Sequence, residues 1–284
     1  MRCHGMAVIL DGKKASAELL QELKGRVEAL KERGVTPSLA LVLVGMDEGS
    51  RRYVKMKARR CKKVGVEAAV HHLPEATTEE VVSLVEKLGG DPSIHGVMVQ
   101  LPLPEGVDED EVLAAIPPEK DVDGLTNETL GRLLRGEPCY PPAGVGAIIE
   151  LLERYDVEYA DRHWVIVGLS DIVGKPLAAL LMNRGISVTC VKPDHPRLSD
   201  YTGMGDVLVV DIGRKWAVGA EMVKPGAVVI DNGNNYEDGK VYGDVDFEAV
   251  KEVASAITPV PGGVGPMLIA NLIKNTVEAA EAST

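Results

Sequence analysis

The feature that most constrains this chain is a set of short, almost wholly apolar runs, none near the ~20 residues needed to span a bilayer. "SLALVLVG", residues 38–45, leaves no face for water, so as a strand it belongs in a parallel sheet covered on both sides. Before it, from Lys13 to Gly34, Leu20, Leu23, Val27 and Leu30 recur at three- and four-residue steps between charged neighbours, the buried face of an amphipathic helix. After it come a basic helix from about Gly49 to Val64, a strand at "EAAVHHL", a helix over "TTEEVVSLVEKLG" and the strand "GVMVQLPLP". This alternation predicts an α/β fold of doubly wound type.

A second alternation follows "YPPAGVG", where Pro141, Pro142, Gly144 and Gly146 break regular structure and the helix "AIIELLERY" begins. Its strands are "HWVIVG", "SVTCV", "DVLVVD" and "AVVIDNG"; it closes at "TPVPGGVGP", and "MLIANLIKNTVEAAEA" forms a terminal helix. The expected organisation is an amino-terminal α/β domain over residues 1–141, an inserted nucleotide-binding domain over 142–265, and a helix at 266–284 that returns to the first domain.

Forty-three acidic side chains against 31 basic ones give a net charge of -12, which disfavours general binding to nucleic acid or an anionic membrane. The opening "MRCHGMAVILDG" lacks the apolar core and cleavage site of a signal peptide, so a cytoplasmic location is expected. Cys3, Cys61, Cys139 and Cys190 are scattered without metal-ligand spacing and are expected to be reduced and structural. His71 and His72 are adjacent on a strand and point to opposite faces, so no metal site is expected there.

Four stretches can carry chemistry. In "HWVIVGLSDIVGKP" a strand ends at Gly168 and a helix opens near Gly174, an arrangement suited to a pyrophosphate, with Ser170 adding a hydroxyl; a plain structural turn reads equally well. In "SRRYVKMKARRCKK", Tyr53 and Lys57 share a helix face, so a ring could stack on a planar substrate beside a proton-handling amine. The alternative is a solvated basic helix. Gln100 closes an apolar strand before Pro102 and Pro104, at the sheet edge where open α/β folds bind ligands. In "KDVDG", Asp121 or Asp123 could accept hydrogen bonds from an amino-heterocycle, or the segment is only an Asx turn.

The order "SRRYVKMK", "VMVQLPLP", "KDVDG", "GLSDIVGKP", "GDVDF" and "TPVPGGVGPM" resembles the bifunctional methylenetetrahydrofolate dehydrogenase/methenyltetrahydrofolate cyclohydrolase family over almost the whole chain. The resemblance implies a catalytic folate-binding domain, a Rossmann-like NAD(P)-binding domain, tetrahydrofolate substrates and a homodimer. It implies that Lys57 is the catalytic lysine, that Gln100 orients it, that Asp123 binds the pterin's amino edge and that Tyr53 stacks on the folate. Pro261, Gly262 and Gly263 would line the folate site, and Gly168, Leu169, Ser170, Gly174 and Asn234 the cofactor site.

The chain departs from the family pattern in places. Pro142-Ala143-Gly144-Val145 stands for Pro-Cys-Thr-Pro, Leu268 for a threonine, and Asp211 and Ile212 for small residues, while Asn232 and Asn234 alter a further run. Leu169 replaces the arginine with which members that use NADP commonly meet its 2′-phosphate. In "VKPDHPR", Lys192 or Arg197 would supply a cation for NADP, whereas Asp194 would suit the free ribose of NAD. NADP is the expected cofactor, with NAD open. A monofunctional dehydrogenase and a non-catalytic folate- or nucleotide-binding regulator are the competing readings.

Overall fold

The computed structural model describes residues 7–284; Cys3 lies outside them. In chain order the first elements are β1 (Val8–Ile9), α1 (Gly12–Glu32), β2 (Ser38–Val44), α2 (Glu48–Val64), β3 (Glu67–Leu73), α3 (Thr78–Gly89) and β4 (Gly96–Val99). Then come α4 (Glu109–Ala114), α5 (Asn127–Arg135), α6 (Ala143–Arg154), β5 (Trp164–Val167), α7 (Gly174–Asn183), β6 (Val188–Val191) and α8 (Leu198–Thr202). The last are β7 (Val207–Val210), β8 (Val228–Asp231), β9 (Asn235–Glu237), β10 (Lys240–Tyr242), α9 (Phe247–Val250), β11 (Ala256–Ile257) and α10 (Val264–Ala282). They form two compact units, one of Ala17–Ala143 with Ile269–Thr284 and the other of the described residues up to Ser16 with Gly144–Leu268.

The unit containing Ala17–Ala143 is built on a parallel sheet of order β3-β2-β4. The apolar run of β2 takes the central place, buried along its length after Ser38. One face is filled by Val42, Val44, Val97 and Val99 against Val81 and Val85 of α3. That helix starts where the sequence supplies a reciprocal cap: the Thr77 hydroxyl accepts from the Glu80 amide and the Glu80 carboxylate accepts from the Thr77 amide. From Ile269 on, the terminal helix belongs to this unit. Asn275 Nδ2 donates to the carbonyls of Val122 (2.8 Å) and Pro141 (3.2 Å), and Arg26 of α1 forks onto Glu281 at 2.9 and 2.6 Å.

The other unit carries a six-stranded parallel sheet of order β1-β11-β8-β7-β5-β6. From β5 the chain steps outward to β6, then returns past β5 to β7 and β8, so the strand order reverses at β5. Ligands of open α/β sheets settle outside the carboxyl ends of the strands at such a reversal. The structure corrects the expected division at the start of the chain. Val8 and Ile9 pair with Ala256 and Ile257, and Leu10 N donates to Ile257 O at 2.9 Å, so the first strand completes the edge of the second sheet. Two residues show no periodicity: β1 takes its ladder from β11 alone, and β11 lies between β1 and β8. The β9–β10 hairpin was likewise not expected.

Hydrogen bonding from Arg26 lowers the Glu281 pKa. A carboxylate of lowered pKa stabilises the fold fully above the ordinary glutamate value of ~4.3, and that contribution disappears as pH falls through the lowered value. Both side chains are about a third exposed, so Glu281→Gln should lower stability at pH 7 by only a few tenths to about 1 kcal/mol. Urea unfolding at pH 7 and pH 3 checks this: the difference from the parent should shrink at the lower pH.

Candidate active site

Helix α2 begins where Asp47 accepts from Ser50 N at 2.7 Å and ends at Gly65 with φ +89. Its buried stripe is Val54, Lys57, Cys61 and Val64, so a lysine occupies a position where spacing calls for an apolar residue. Lys57 is 3% exposed, whereas Arg51, Arg52, Lys55, Arg59, Lys62 and Lys63 are solvated. The basic-helix reading therefore holds for most of α2's cations and fails at Lys57.

The partner of this lysine comes from β4. Gln100 follows the last residue of that strand, its amide bonded to Val42 O at 2.9 Å, and Leu101–Pro102 is cis. Lys57 Nζ donates to Gln100 Oε1 at 3.1 Å and lies 3.5 Å from Met98 Sδ, a weak acceptor. Gln100 Nε2 donates to Leu101 O at 2.7 Å, which keeps its carbonyl end facing the lysine. The ammonium also stands 4.8 Å from the centroid of the Tyr53 ring.

The two aspartates of "KDVDG" have different duties. Asp121 is 1% exposed and its oxygens accept from the amides of Gly124 (2.9 Å), Leu125 (3.2 Å) and Thr126 (2.9 Å). It shapes the turn. Asp123 acts electrostatically on Lys57 and Tyr53. Burial lowers the Lys57 pKa, opposed by the Asp123 charge, and burial raises the Asp123 pKa, opposed by Lys57. Each is moved toward its neutral form. Burial also raises the Tyr53 phenol and pushes the Cys61 thiol up to about 12, so neither competes as an anion near pH 7.

In the other unit, Gly168 follows β5 with φ +96, and a Cβ there would lie 1.8 Å from Asp211 O; one on Gly174 would lie 2.1 Å from Gly168 O. Both must be glycine for α7 to start this close to the strand. The Ser170 hydroxyl donates to Asp211 Oδ2 at 2.7 Å and accepts from Val173 N (3.1 Å) and Gly174 N (3.3 Å), so it caps α7 and braces the turn. Asn232 Nδ2 donates to the other Asp211 oxygen at 3.1 Å. The amides of Leu169, Ser170, Asp171 and Ile172 donate to no other described residue. A run of unpaired amides beside a helix start fits a diphosphate.

Models of two domains match the chain: the tetrahydrofolate dehydrogenase/cyclohydrolase catalytic domain over residues 10–123 and the NAD(P)-binding domain of the same enzymes over 139–284. The chain belongs to the tetrahydrofolate dehydrogenase/cyclohydrolase family. It is 46% identical over 276 residues to the bifunctional protein FolD of Halalkalibacterium halodurans, covering 97% of this chain and 99% of that one. Among solved structures, the bifunctional FolD of Campylobacter jejuni has a TM-score of 0.95 at 40% identity, with 98% and 100% of the two chains covered. A Trypanosoma brucei FolD complexed with NADP and an inhibitor has a TM-score of 0.93 at 33% identity, with 98% and 99% covered.

Within this family member, Tyr53, Lys57, Gln100 and Asp123 form one group and Gly168, Leu169, Ser170 and Gly174 another. Pro261, Gly262 and Gly263 form the turn before α10, entered through a cis Val260–Pro261 bond. They pack on the start of α1: Lys13 N donates to Gly262 O at 3.1 Å, and a Cβ on Gly12 would sit 1.7 Å from Gly263 O. The role of "LDG" in holding that turn was not read from the sequence. Arg197 is paired with Asp200 at 2.7 Å, Lys192 is exposed, and Asn234 is exposed while Asn232 reaches the turn. Met98 and Arg214 were not foreseen. Among the described residues no group of three or more His, Cys, Asp or Glu side chains could hold a metal ion.

The lowered Lys57 pKa fixes the sign of a stability effect. The unfolded chain binds a proton at this lysine that the folded chain holds less well, so stability rises with pH below the ordinary lysine value of ~10.4. Lys57→Met should remove that slope. Melting temperature measured from pH 7 to 10 is expected to rise less in the variant than in the parent, and an equal rise would count against a depressed Lys57.

Proposed function

We propose that the chain oxidises 5,10-methylenetetrahydrofolate to the 5,10-methenyl form with NADP and then hydrolyses that cation to 10-formyltetrahydrofolate. The observation that carries the reading is the buried Lys57, held by Gln100 and electrostatically coupled to Asp123. Hydrolysis needs a water proton removed as the C–O bond forms and a proton delivered to nitrogen as the ring opens. A lysine whose pKa is lowered by burial can do both near neutrality. Nζ is held by Gln100 Oε1 and the weak acceptor Met98 Sδ, which leaves a further valence for water or substrate. Tyr53 offers a ring face to the pterin, and Asp123 accepts from its amino edge.

When bound, NADP supplies the hydride acceptor. The chain's part is to hold the diphosphate on the amides of residues 169–172 and to position the dinucleotide, and orientation of this kind accounts for much of a hydride-transfer rate. The NADP complex of the Trypanosoma brucei relative supports NADP over NAD.

The protein acts as a cytoplasmic homodimer in this reading. Cys61, Cys139 and Cys190 are free thiols, and no helix of the described residues is long and apolar enough to cross a membrane. Strand β3 is an edge with Val70 46% exposed, a surface a second copy would cover.

Two measurements test the reading. Mixed with methylenetetrahydrofolate and NADP, the parent should reduce the nucleotide and then lose the methenyl chromophore faster than buffer alone. Lys57→Met should slow methenyl hydrolysis by roughly 10²-fold or more while losing far less nucleotide reduction. Hydrolysis at the parent rate in that variant would remove Lys57 from the mechanism. Sedimentation equilibrium should give twice the chain mass; a monomer at micromolar concentration would exclude the dimer.

A further inference from the structure

Leu169 has no charge to offer a 2′-phosphate, and the fold supplies one from another loop. Val167 of β5 pairs with Val191 of β6 on one side and Val210 of β7 on the other, so Gly168, Lys192 and Asp211 open three neighbouring loops at one height. The loop after β7 is pinned. Ile212 N (2.6 Å), Gly213 N (3.0 Å) and Arg214 N (2.9 Å) all donate to the carboxylate of Asp244, which is 0% exposed and also accepts from Asn235 Nδ2 at 2.8 Å. From this fixed backbone the Arg214 guanidinium reaches past the end of β5, which lies between β7 and β6, and donates through Nη2 to Pro193 O at 2.9 Å.

Pro193 stands next to Lys192, beyond the second strand of the nucleotide series, where Rossmann-type sites read the adenosine ribose. Arg214 is exposed and forms no ion pair among the described residues, and the same holds for Lys192. Arg197 is taken by Asp200. Two acids share this edge. Asp211 is hydrogen-bonded to Ser170 and Asn232, and Asp194 is exposed on the same loop as Lys192. A mobile exposed carboxylate can turn to water, whereas the guanidinium is held in place by its backbone anchor.

We propose that Arg214, with Lys192 as the second cation, is the residue that recognises the 2′-phosphate of NADP in this chain, in place of an arginine in the glycine turn. The assignment rests on the NADP reading, and adenosine 2′,5′-bisphosphate and 5′-AMP separate the two because they differ only in the phosphate concerned. Titration calorimetry at fixed ionic strength should show the parent preferring the bisphosphate. Arg214→Gln should weaken bisphosphate binding roughly tenfold or more and leave 5′-AMP unchanged, with an unaltered melting temperature. Arg214→Lys should fall between, since an ammonium keeps the charge and loses the planar fork. Leu169→Arg should restore the preference in the Arg214→Gln background. Unchanged preference in Arg214→Gln, or equal weakening of both ligands as from lost stacking on adenine, would overturn the assignment while leaving NADP in place. A parent without preference would overturn the NADP reading, and this inference with it.

Discussion

Parallel pairing is the constraint on which the chemistry of both units depends. All strands of the two larger sheets run in one direction within their sheet, so the loops after them emerge at a common edge. Gln100, Gly168, Lys192 and Asp211 are each the first residue past a strand. None of them is placed by a specialised motif. Each takes its height from a ladder of buried valines, isoleucines and leucines that could not pair out of register without moving the whole edge. The apolar runs that make the sequence legible as α/β are thus also what brings groups from distant segments to one level within each sheet.

Burying Lys57 opposes that economy of apolar packing. A methionine at this point of the α2 stripe would fill the core without desolvating a charge, and in the proposed mechanism the lysine gives up that stability for reactivity. Three features limit the loss: the Gln100 carbonyl, the aromatic face of Tyr53, and the charge of Asp123, which opposes the effect of burial on the lysine. Because base and acid are both shifted toward neutrality, moving one proton among them, water and substrate changes the net charge of the pocket little. The nearby Asp121 shows the alternative: with three backbone amides on its oxygens it is a structural anion, and in the proposed mechanism Asp123, two residues on, is left for chemistry.

Much of this was legible before the structure. The strand at "EAAVHHL" and the helices over "TTEEVVSLVEKLG" and "AIIELLERY" carry periodicity or caps that local physics can read. The missed pieces have local causes. Strands β1 and β11 have two residues each, and the β9–β10 turn did carry its signal, Asp238 and Gly239 at φ +50 and +77, which is a hairpin-type dipeptide. In the site, motif order pointed to Lys57 and Gln100, but the burial of Lys57 on one stripe with Val54, Cys61 and Val64 was not read from a helix so rich in cations. Arg214 was invisible for a different reason. Its partner Pro193 and its anchor Asp244 lie 21 and 30 residues away, and only the strand order brings them together.

The contact of Gly168 with Asp211 and of Gly174 with Gly168 O leaves no room for a side chain at either end of the nucleotide turn. Between them, the groups offered to a diphosphate are main-chain amides, which are present whatever residue carries them. On the proposed reading grip and discrimination are separated: the turn holds any dinucleotide by its middle, while the choice between a ribose hydroxyl and a ribose phosphate is left to side chains on other loops. On that reading, a chain of this build can lack a cation at position 169 and still keep its hold on the cofactor, and a substitution four residues past the next strand but one can set the preference again.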